Sequence, residues 1–595
     1  MSKQTLHAVA TATDHPHSEQ VETAPKTAAP HYRRPRLRRW FPVLLQLALL
    51  ALIVLCPMFF IVMGAFTDKS ERTSLFDFGD FTLDNFRVLG SATARSAMLS
   101  SAAVGIGASL LALVIGCTLA FLAARTDIPG RKLVYGIGIA PLFLPALVGS
   151  LAWVLLAGPA SGYLNLALNS IGLPNAINIY SFGGMIFVLG LYYAPYPFLM
   201  VHSALSLMNP DLEDAASLHG AKLTQMLRKV TFPLVMPAIV GSGILVFALS
   251  VENFPVAQVI GVAGGIDTLP TMIFRLMNAS PARSNDAAAV AVVLTVLLVV
   301  VVAFQQRAMS GKQYTTVTGK GVRARKVPLR GWRIPCAIFA WVYFALAVAL
   351  PVLALILASL QTSPYVADLA QLGRPGALSF WGMGQTLKSS DFHQVVLNSV
   401  TVGVATAAIG TTLCFALAYT RYRTNAPGRK LLEYLAMLPL AVPAIVLGLG
   451  LLWTWLAMPV PVYGTLAVLV IAFVAVFIPQ GYRGVSASII QLDKDLEDSA
   501  VMLGARRHRA ISFVTAPLLR VGLSSTFLLL LMLSMRELTA ALFLFTSDTR
   551  LLSIAIFDAY DNGSFQAAAE LSLLYCVVIA TLAMLSRRLG SKETV

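Results

Sequence analysis

Long uncharged apolar segments recur along this chain, and short polar loops separate them. The first runs from Trp40 to about Phe66, and comparable segments follow as far as the C-terminal region. A helix needs about 20 apolar residues to cross a bilayer core, whereas a membrane β-strand shows about 10 residues of alternating polarity. A helix also pairs its own backbone polar groups, which lipid cannot do. The pattern therefore predicts an all-α polytopic membrane protein with about twelve transmembrane helices.

The composition excludes a soluble globular protein. Hydrophobic residues make up 57% of the chain and charged residues only 12%, and the mean hydropathy is +0.75. A formal charge of +16 would indicate a nucleic-acid partner in a soluble protein, but here the basic residues lie in short loops beside apolar spans. We therefore expect membrane lipid as a partner and no nucleic acid. Five cysteines without CxxC spacing predict packing roles and no metal site.

Basic residues also set the expected orientation. A run of arginines at 33–39 precedes the first apolar segment, and a second basic stretch occupies the middle of the chain. By the positive-inside rule both lie in the cytoplasm, together with the N- and C-termini. The chain then divides into a disordered basic cytoplasmic tail (1–39), a first transmembrane domain (40–306), a basic cytoplasmic linker (307–333), a second transmembrane domain (334–588) and a cytoplasmic tail (589–595).

The two halves of the chain are related by an internal repeat. Residues 129–133 and 427–431 are identical, and two prolines that follow recur at the same offset of 298 residues: Pro141 with Pro439, and Pro145 with Pro443. Later landmarks recur at an offset of 284, so the first half has 14 more residues between them, which we place in an outer loop. The repeat predicts six spans in each half around a pseudo-two-fold axis, with the prolines bending the third span.

A polar segment at 209–222 recurs at 493–506 and follows the second offset. Asn209 and Asp493 are placed to cap a short helix, and a glycine ends each copy, Gly220 in the first and Gly504 in the second. Acidic residues near the positive helix end favour a surface helix; they are Asp211, Glu213 and Asp214 in the first copy, and Asp495, Glu497 and Asp498 in the second. Either copy alone is typical of an amphipathic surface helix without a partner, but two matched copies favour a docking surface.

These segments resemble the EAA loop of ABC importer permeases. Asp-Ala-Ala-x-x-x-Gly stands at 214–220 and Asp-Ser-Ala-x-x-x-Gly at 498–504, each with a proline 13 residues after the glycine. Aspartate replaces the glutamate of the family pattern in both copies. The resemblance implies a type I importer permease fold in which each loop forms a coupling helix seated in a groove of a separate ATPase. It extends the predicted coupling residues to Ala215, Ala216, Ser499 and Ala500.

The resemblance also implies the partners and the location. Two coupling loops in one chain imply two copies of an ABC ATPase, a periplasmic substrate-binding protein, and an inner membrane location. The chain has no GxxxxGK[ST] phosphate-binding loop. We therefore expect a transport permease without a catalytic residue, not an enzyme, which binds no cofactor while its partner uses ATP.

Ionisable residues interrupt two apolar segments at matched positions. Glu252 and Asn253 in the first half correspond to Arg536 and Glu537 in the second. Such residues are costly in lipid and usually face a bundle interior or an aqueous cavity, which makes all four candidates for the translocation path. Two alternatives stay open: a structural salt bridge between Glu252 and Arg536, and a position at the outer mouth.

As a fused two-repeat permease the chain most resembles the ferric-iron uptake permeases, so ferric iron is the predicted solute. Related fused permeases carry thiamine, polyamines or 2-aminoethylphosphonate, and these stay as alternatives. A secondary transporter driven by an ion gradient also fits twelve spans and two halves. A membrane enzyme is disfavoured because no nucleophile, histidine cluster or metal spacing recurs in the loops.

Overall fold

The computed structural model describes residues 36–69, 79–173, 176–208, 213, 216, 218–309, 326–363, 366 and 368–591. Helices dominate this part of the chain, and its β-structure is limited to three isolated bridges. The predicted all-α fold class is confirmed.

The first repeat contains eleven of the helices that the described residues form, and we number them in chain order. They are α1 (Trp40–Ala65), α2 (Ala92–Arg125), α3 (Arg131–Phe143), α4 (Ala146–Ala157), α5 (Tyr163–Ser170), α6 (Phe182–Tyr193), α7 (Pro195–Leu207), α8 (Leu227–Val251), α9 (Phe254–Gly264), α10 (Leu269–Met277) and α11 (Ser284–Met309).

The second repeat continues the numbering over its described residues. Its helices are α12 (Arg330–Leu360), α13 (Trp381–Lys388), α14 (Ser390–Arg423), α15 (Arg429–Ala441), α16 (Ala444–Ala457), α17 (Leu466–Gln491), α18 (Asp495–Met502), α19 (Arg507–Leu518), α20 (Arg520–Arg536), α21 (Leu552–Asp561) and α22 (Phe565–Ser591).

The number of spans agrees with the expectation from sequence. Across the described residues, 8 helices are long and apolar enough to cross a membrane, or up to 13 if each of 5 bent pairs counts as one span. The predicted figure of about twelve lies within this range. One of the bent pairs, α9 with α10, turns by 82° and consists of two short helices, which is the geometry of a re-entrant loop.

The third span of each repeat is broken, as the prolines predict. Helices α3 and α4 meet at 95°, and their counterparts α15 and α16 meet at 112°. Pro145 and Pro443 have extended backbone conformations immediately before α4 and α16. Proline has no N–H to donate into a helix and clashes with the preceding turn, so the helix stops there and restarts in a new direction.

The length difference between the repeats lies in one connection. The offset of 298 holds up to the start of the second half of the broken span, and the offset of 284 holds from the first residue of α6, Phe182, which corresponds to Leu466. The additional residues therefore lie between α4 and α6, where the first repeat carries the short helix α5.

The repeats exchange their leading helices. Helix α1 packs against α15 and α16 of the second repeat, and α12 packs against α3 and α4 of the first. Gln46 donates a hydrogen bond to Thr420 Oγ1 at 3.0 Å, and Tyr343 donates one to the Leu191 carbonyl at 3.1 Å. Because each leading helix packs against the other half as well as its own, the halves cannot move apart without disturbing both helices.

Two connections between apolar segments contain short helices. Residues 262–286 include the whole of α10, which follows the helix break at Asn253. Residues 546–567 include the whole of α21 and the start of α22. Helices α10 and α21 are too short for a span, so hydropathy alone cannot separate them from a loop.

Candidate functional site

Each EAA-like segment connects two spans of its own repeat, and we call the surface that the two segments expose the motif face. In the second copy α18 covers Asp495–Met502, which confirms the predicted short helix. In the first copy Glu213, Ala216 and Leu218 are helical, and Gly220 follows them. The predicted coupling residues Asp211, Asp214 and Ala215 lie outside the described residues, as do Asn209 and Pro210.

Both helices end in the same way. Gly220 and Gly504 have φ values of +78° and +92°, a left-handed conformation that glycine adopts without a Cβ penalty. The next residue then donates its N–H back to a carbonyl five positions earlier: Ala221 to Ala216 and Ala505 to Ala500, each at 3.1 Å. This is the bond pattern of a Schellman motif, so the two glycines act as helix stops as predicted.

The start of α18 differs by one residue from the prediction. Lys494 holds the N-cap position without a side-chain hydrogen bond, while the Asp493 carboxylate accepts from the Asp495 N–H at 3.1 Å. Asp493 therefore makes an Asx-type turn before the helix and does not cap it. The side chains of Asp495, Asp498 and Ser499 are exposed on the motif face.

One acidic residue of each segment is buried, and in the second segment its acidic neighbours Asp495 and Asp498 are exposed. The side chain of Glu213 is 2% exposed and that of Glu497 is 3% exposed. Thr231 donates to Glu213 at 2.7 Å, and its repeat counterpart Thr515 donates to Glu497 at 2.9 Å. Each glutamate thus ties its motif helix to the return span. The sequence analysis assigned both residues to the helix surface, so their buried position is a correction.

The cation that meets this glutamate differs between the repeats. In the first repeat Arg125, at the end of α2, forms an ion pair with Glu213, and both side chains are almost fully buried. The equivalent arginine of the second repeat, Arg423, donates to the Leu492 and Ile489 carbonyls. Burial of an ion pair is tolerated only when its members satisfy one another, so Glu497 needs other partners.

Glu497 obtains those partners from two residues that have no polar counterpart in the first repeat. The Tyr419 hydroxyl donates to its carboxylate, and the Arg507 guanidinium lies 3.4 Å away with more than half of its side chain exposed. Phe121 and Leu223 stand at the equivalent positions of the first repeat. The first segment is therefore fastened by a buried ion pair, and the second by a hydroxyl and a solvent-accessible cation.

Matched apolar side chains project from the outer side of both segments. Leu218 is 86% exposed, and its counterpart Met502 is 85% exposed. Leu503 beside it is 90% exposed. Water contact with apolar groups is unfavourable, so two such positions in equivalent loops indicate a surface that another protein covers. Leu218 and Met502 were not predicted as coupling residues, although the sequence places them at the repeat offset of 284.

The four candidate path residues lie where α8 and α20 end. Asn253 caps the next helix by accepting from the Val256 N–H at 2.9 Å, and Glu537 accepts from the Ala540 N–H at the same distance. Asn253 also donates to the Tyr193 hydroxyl at 2.8 Å. Asn253 and Glu537 thus make equivalent bonds in the two repeats, because each side chain accepts from the backbone N–H three residues further along.

Arg536 joins the two repeats at this level. Its guanidinium donates to the Leu142 carbonyl in the last turn of α3 at 2.8 Å and to the Leu144 carbonyl in the break after it at 3.4 Å. These carbonyls have lost their helical partners because the span turns there. Among the described residues no ion pair or hydrogen bond joins Glu252 to Arg536, so the structural salt bridge considered from the sequence is not present.

Comparison with known proteins identifies the family of this chain. The family described as binding-protein-dependent transport system inner membrane component matches twice, at residues 112–312 and 410–590. The chain belongs to this family. The two matches begin 298 residues apart, the offset of the repeat, so this permease contains two family domains in one chain. Permeases of this family are ABC importer components, which places the protein among multi-pass inner-membrane transport proteins.

Individual relatives have low sequence identity to this chain. The ferric transport system permease protein FbpB of Actinobacillus pleuropneumoniae is 26% identical over 488 residues, covering 81% of this chain and 69% of FbpB. PhnV of Salmonella typhimurium, named as a 2-aminoethylphosphonate transport system permease protein, is 30% identical over 204 residues, covering 33% of this chain and 76% of PhnV.

A solved structure shows a weaker likeness. One chain of a bacterial alginate ABC transporter, determined in complex with an alginate pentasaccharide-bound periplasmic protein, aligns with 48% of this permease and 97% of that chain. The identity is 22% and the TM-score 0.39.

Proposed function

We propose that this permease forms the membrane passage of an ATP-driven importer. It receives a solute from a periplasmic binding protein and releases it into the cytoplasm as the two repeats move between outward-open and inward-open arrangements. The permease family and the internal two-fold repeat support this proposal. The exchanged leading helices α1 and α12 favour coordinated motion of both halves, because each half carries a helix of the other.

The observation that carries the coupling role is the two-sided character of each EAA-like segment. On its outer side Leu218 or Met502 is exposed and available to a partner. On its inner side Glu213 or Glu497 is buried and bonded to the threonine of the return span. A force applied to the outer side therefore passes to the spans through a buried polar contact, which is what a coupling helix requires.

The two EAA-like segments also indicate which partner proteins the permease contacts. Two segments that each expose an apolar side chain at the matched position, Leu218 and Met502, provide two contacts for copies of one ABC ATPase. This chain contains no GxxxxGK[ST] sequence, so ATP is bound and hydrolysed by the ATPase while the permease carries no cofactor of its own. Exposed Asp495 and Asp498 flank the second contact, and Arg507 lies beside it.

The motif face lies in the cytoplasm in this proposal. Basic residues are concentrated in the run at 33–39, in the loop at 131–132 and in the segment from 307 to 333, and alternation of the spans puts these segments on the same side of the membrane as the EAA-like segments. By the positive-inside rule the N- and C-termini are then also cytoplasmic. The boundaries of the two transmembrane domains, 40–306 and 334–588, follow from the same assignment.

Ferric iron is the solute that we propose. The likeness to FbpB extends over both repeats, whereas that to PhnV covers a third of the chain. Glu252 and Glu537 place two carboxylates beside the helix breaks, and the Arg536 guanidinium is occupied by backbone carbonyls. A passage with two carboxylates and a guanidinium that is already bonded to backbone carbonyls favours a cationic solute. We assign Glu252, Asn253, Arg536 and Glu537 to the translocation path.

The substrate assignment is tested with the periplasmic binding protein that serves this permease and with proteoliposomes that hold the complete transporter. We expect uptake of radiolabelled ferric iron that an excess of thiamine, spermidine or 2-aminoethylphosphonate does not reduce. Uptake of one of those three solutes without iron uptake would replace ferric iron and leave the importer mechanism in place.

A further inference from the structure

The part of the linker nearest the second repeat is bound to the first repeat. Val327 forms a parallel bridge with Thr126 in the loop that follows α2. Its N–H donates to the Arg125 carbonyl at 2.7 Å, and its carbonyl accepts from the Asp127 N–H at 3.3 Å. We call residues 326–333 the linker strap.

The Asp127 side chain holds the linker strap at two further points. One carboxylate oxygen accepts from the Leu329 N–H at 2.8 Å, and the other forms an ion pair with Arg333. The Arg333 guanidinium, and then the Leu329 N–H, hold the pKa of Asp127 below its usual value. The carboxylate is therefore ionised at neutral pH and bonded on both oxygens.

Arg125 connects the linker strap to the first EAA-like segment. Its backbone carbonyl accepts from Val327, while its guanidinium forms the buried ion pair with Glu213. A residue with 1% of its side chain exposed has little freedom to adjust, so a change in the backbone at 125–127 moves the guanidinium. The contact continues from Glu213 to Thr231 on the return span.

The second repeat has a different arrangement at the equivalent place. Asn425 stands at the position of Asp127, and its side-chain oxygen accepts from Arg429 at 3.1 Å. Among the described residues no isolated bridge involves Thr424, the counterpart of Thr126. The equivalent arginine, Arg423, does not pair with Glu497. The strap and the buried ion pair therefore occur together in one repeat and are both missing from the described part of the other.

We infer that the linker strap positions the first coupling segment. Through Asp127 and Arg333 it fixes the backbone that carries Arg125, and so keeps Glu213 and its helix in the orientation that the ATPase contacts. The second coupling segment, fastened by Tyr419 and Arg507, does not depend on it. This inference rests on the proposed coupling role of the two segments, and it makes Asp127 and Arg333 positioning residues of one ATPase contact only.

The test measures the two ATPase contacts separately in the complete transporter. A photoreactive benzoylphenylalanine is introduced as Leu218→benzoylphenylalanine in one version and as Met502→benzoylphenylalanine in another, and cross-linking to the ATPase is quantified after illumination. Into each version we place Asp127→Asn, Arg333→Gln, or the conservative Arg333→Lys. The matched control is Asn425→Ala, which alters the equivalent position of the second repeat.

With Asp127→Asn or Arg333→Gln we expect cross-linking from position 218 to fall about fivefold while that from position 502 stays unchanged. The ATP hydrolysed per solute imported should rise, because one coupling segment no longer follows the ATPase. Arg333→Lys should retain most of the cross-linking, and Asn425→Ala should change neither contact. A defect that only lowered the amount of folded protein would reduce both contacts equally and would leave the ratio of ATP to solute unchanged.

Two outcomes separate the coupling role of the segments from the role of the linker strap. If neither position cross-links to the ATPase in the otherwise unchanged chain, the coupling role itself is wrong. If both positions cross-link there, and Asp127→Asn and Arg333→Gln leave position 218 unaffected or reduce both positions alike, the inference about the linker strap is overturned and the coupling role stands.

Discussion

Glu213 and Glu497 are buried at equivalent places in the two repeats, and each accepts a hydrogen bond from a threonine 18 residues further along the chain. Their counterions differ. Glu213 meets Arg125 in a nearly water-free site, whereas Glu497 meets the partly exposed Arg507 and the Tyr419 hydroxyl. The two coupling segments are therefore alike in position and unlike in the way they are attached.

Replacing these glutamates should affect the two segments unequally. Glu213→Gln leaves the buried Arg125 without a counterion, a change that typically costs about 3–5 kcal/mol. Glu497→Gln leaves Arg507 in contact with water, so its cost should be smaller. Thermal unfolding of the purified permease and co-purification of the ATPase both measure the difference. Equal losses in the two variants would contradict the unequal attachment.

The exposed apolar side chains should matter for the partner and not for the fold. We expect Leu218→Asp and Met502→Asp to leave thermal stability within about 0.5 kcal/mol of the original, as for other surface substitutions, and to weaken ATPase association at least tenfold. Ile171→Asp is the control, because Ile171 is also 70% exposed but lies in the loop after α5. ATPase binding that survives both substitutions would show that these side chains do not form the contact.

The two glycines provide a test of close approach. Apart from its chain neighbours, no atom of the described residues lies within 4 Å of a Cβ built at Gly220 or Gly504, so a side chain there meets open space in this part of the permease. Gly220→Trp and Gly504→Trp should therefore cost only the strain of the left-handed backbone, about 1–2 kcal/mol, while blocking the ATPase. Gly→Asn at the same positions tolerates that backbone and should keep the association. Unchanged ATPase co-purification and unchanged uptake in both tryptophan variants would count against the docking role.

Arg536 should be needed for transport and not for ATPase binding. Arg536→Gln shortens the side chain and weakens the bonds to the Leu142 and Leu144 carbonyls, at about 1–3 kcal/mol for each buried carbonyl left unpaired. The broken span of the first repeat then loses this polar contact with α20 of the second repeat. We expect uptake to fall while ATPase co-purification is retained; loss of both together would assign Arg536 to the fold alone.

The sequence predicted the features that depend on local chemistry. Pro145 and Pro443 break the third spans because proline cannot continue a helix, and Gly220 and Gly504 stop the motif helices because they need a positive φ. The repeat offset also located the longer connection between α4 and α6. The proline breaks and the glycine stops each follow from one residue and its immediate neighbours, and the longer connection follows from comparing the two repeats.

The features that depend on distant partners were not predicted. Glu213 was expected on the surface with the acidic residues beside it, and only contact with Arg125, 88 positions earlier, makes its burial possible. The matched pair Thr231 and Thr515 was the available signal, since both lie at the repeat offset. Helix α10 was not predicted, because a short helix in a re-entrant pair has no hydropathy signal of its own.

The central claim is that import through this permease is driven by ATP hydrolysis in a separate subunit. The most direct measurement compares ferric-iron uptake by proteoliposomes containing the permease alone with uptake by proteoliposomes that also contain the ATPase and the binding protein. We expect no uptake by the permease alone under a proton or sodium gradient, and uptake by the complete system only when ATP is present on the ATPase side. Gradient-driven uptake by the permease alone, without ATP, would contradict it.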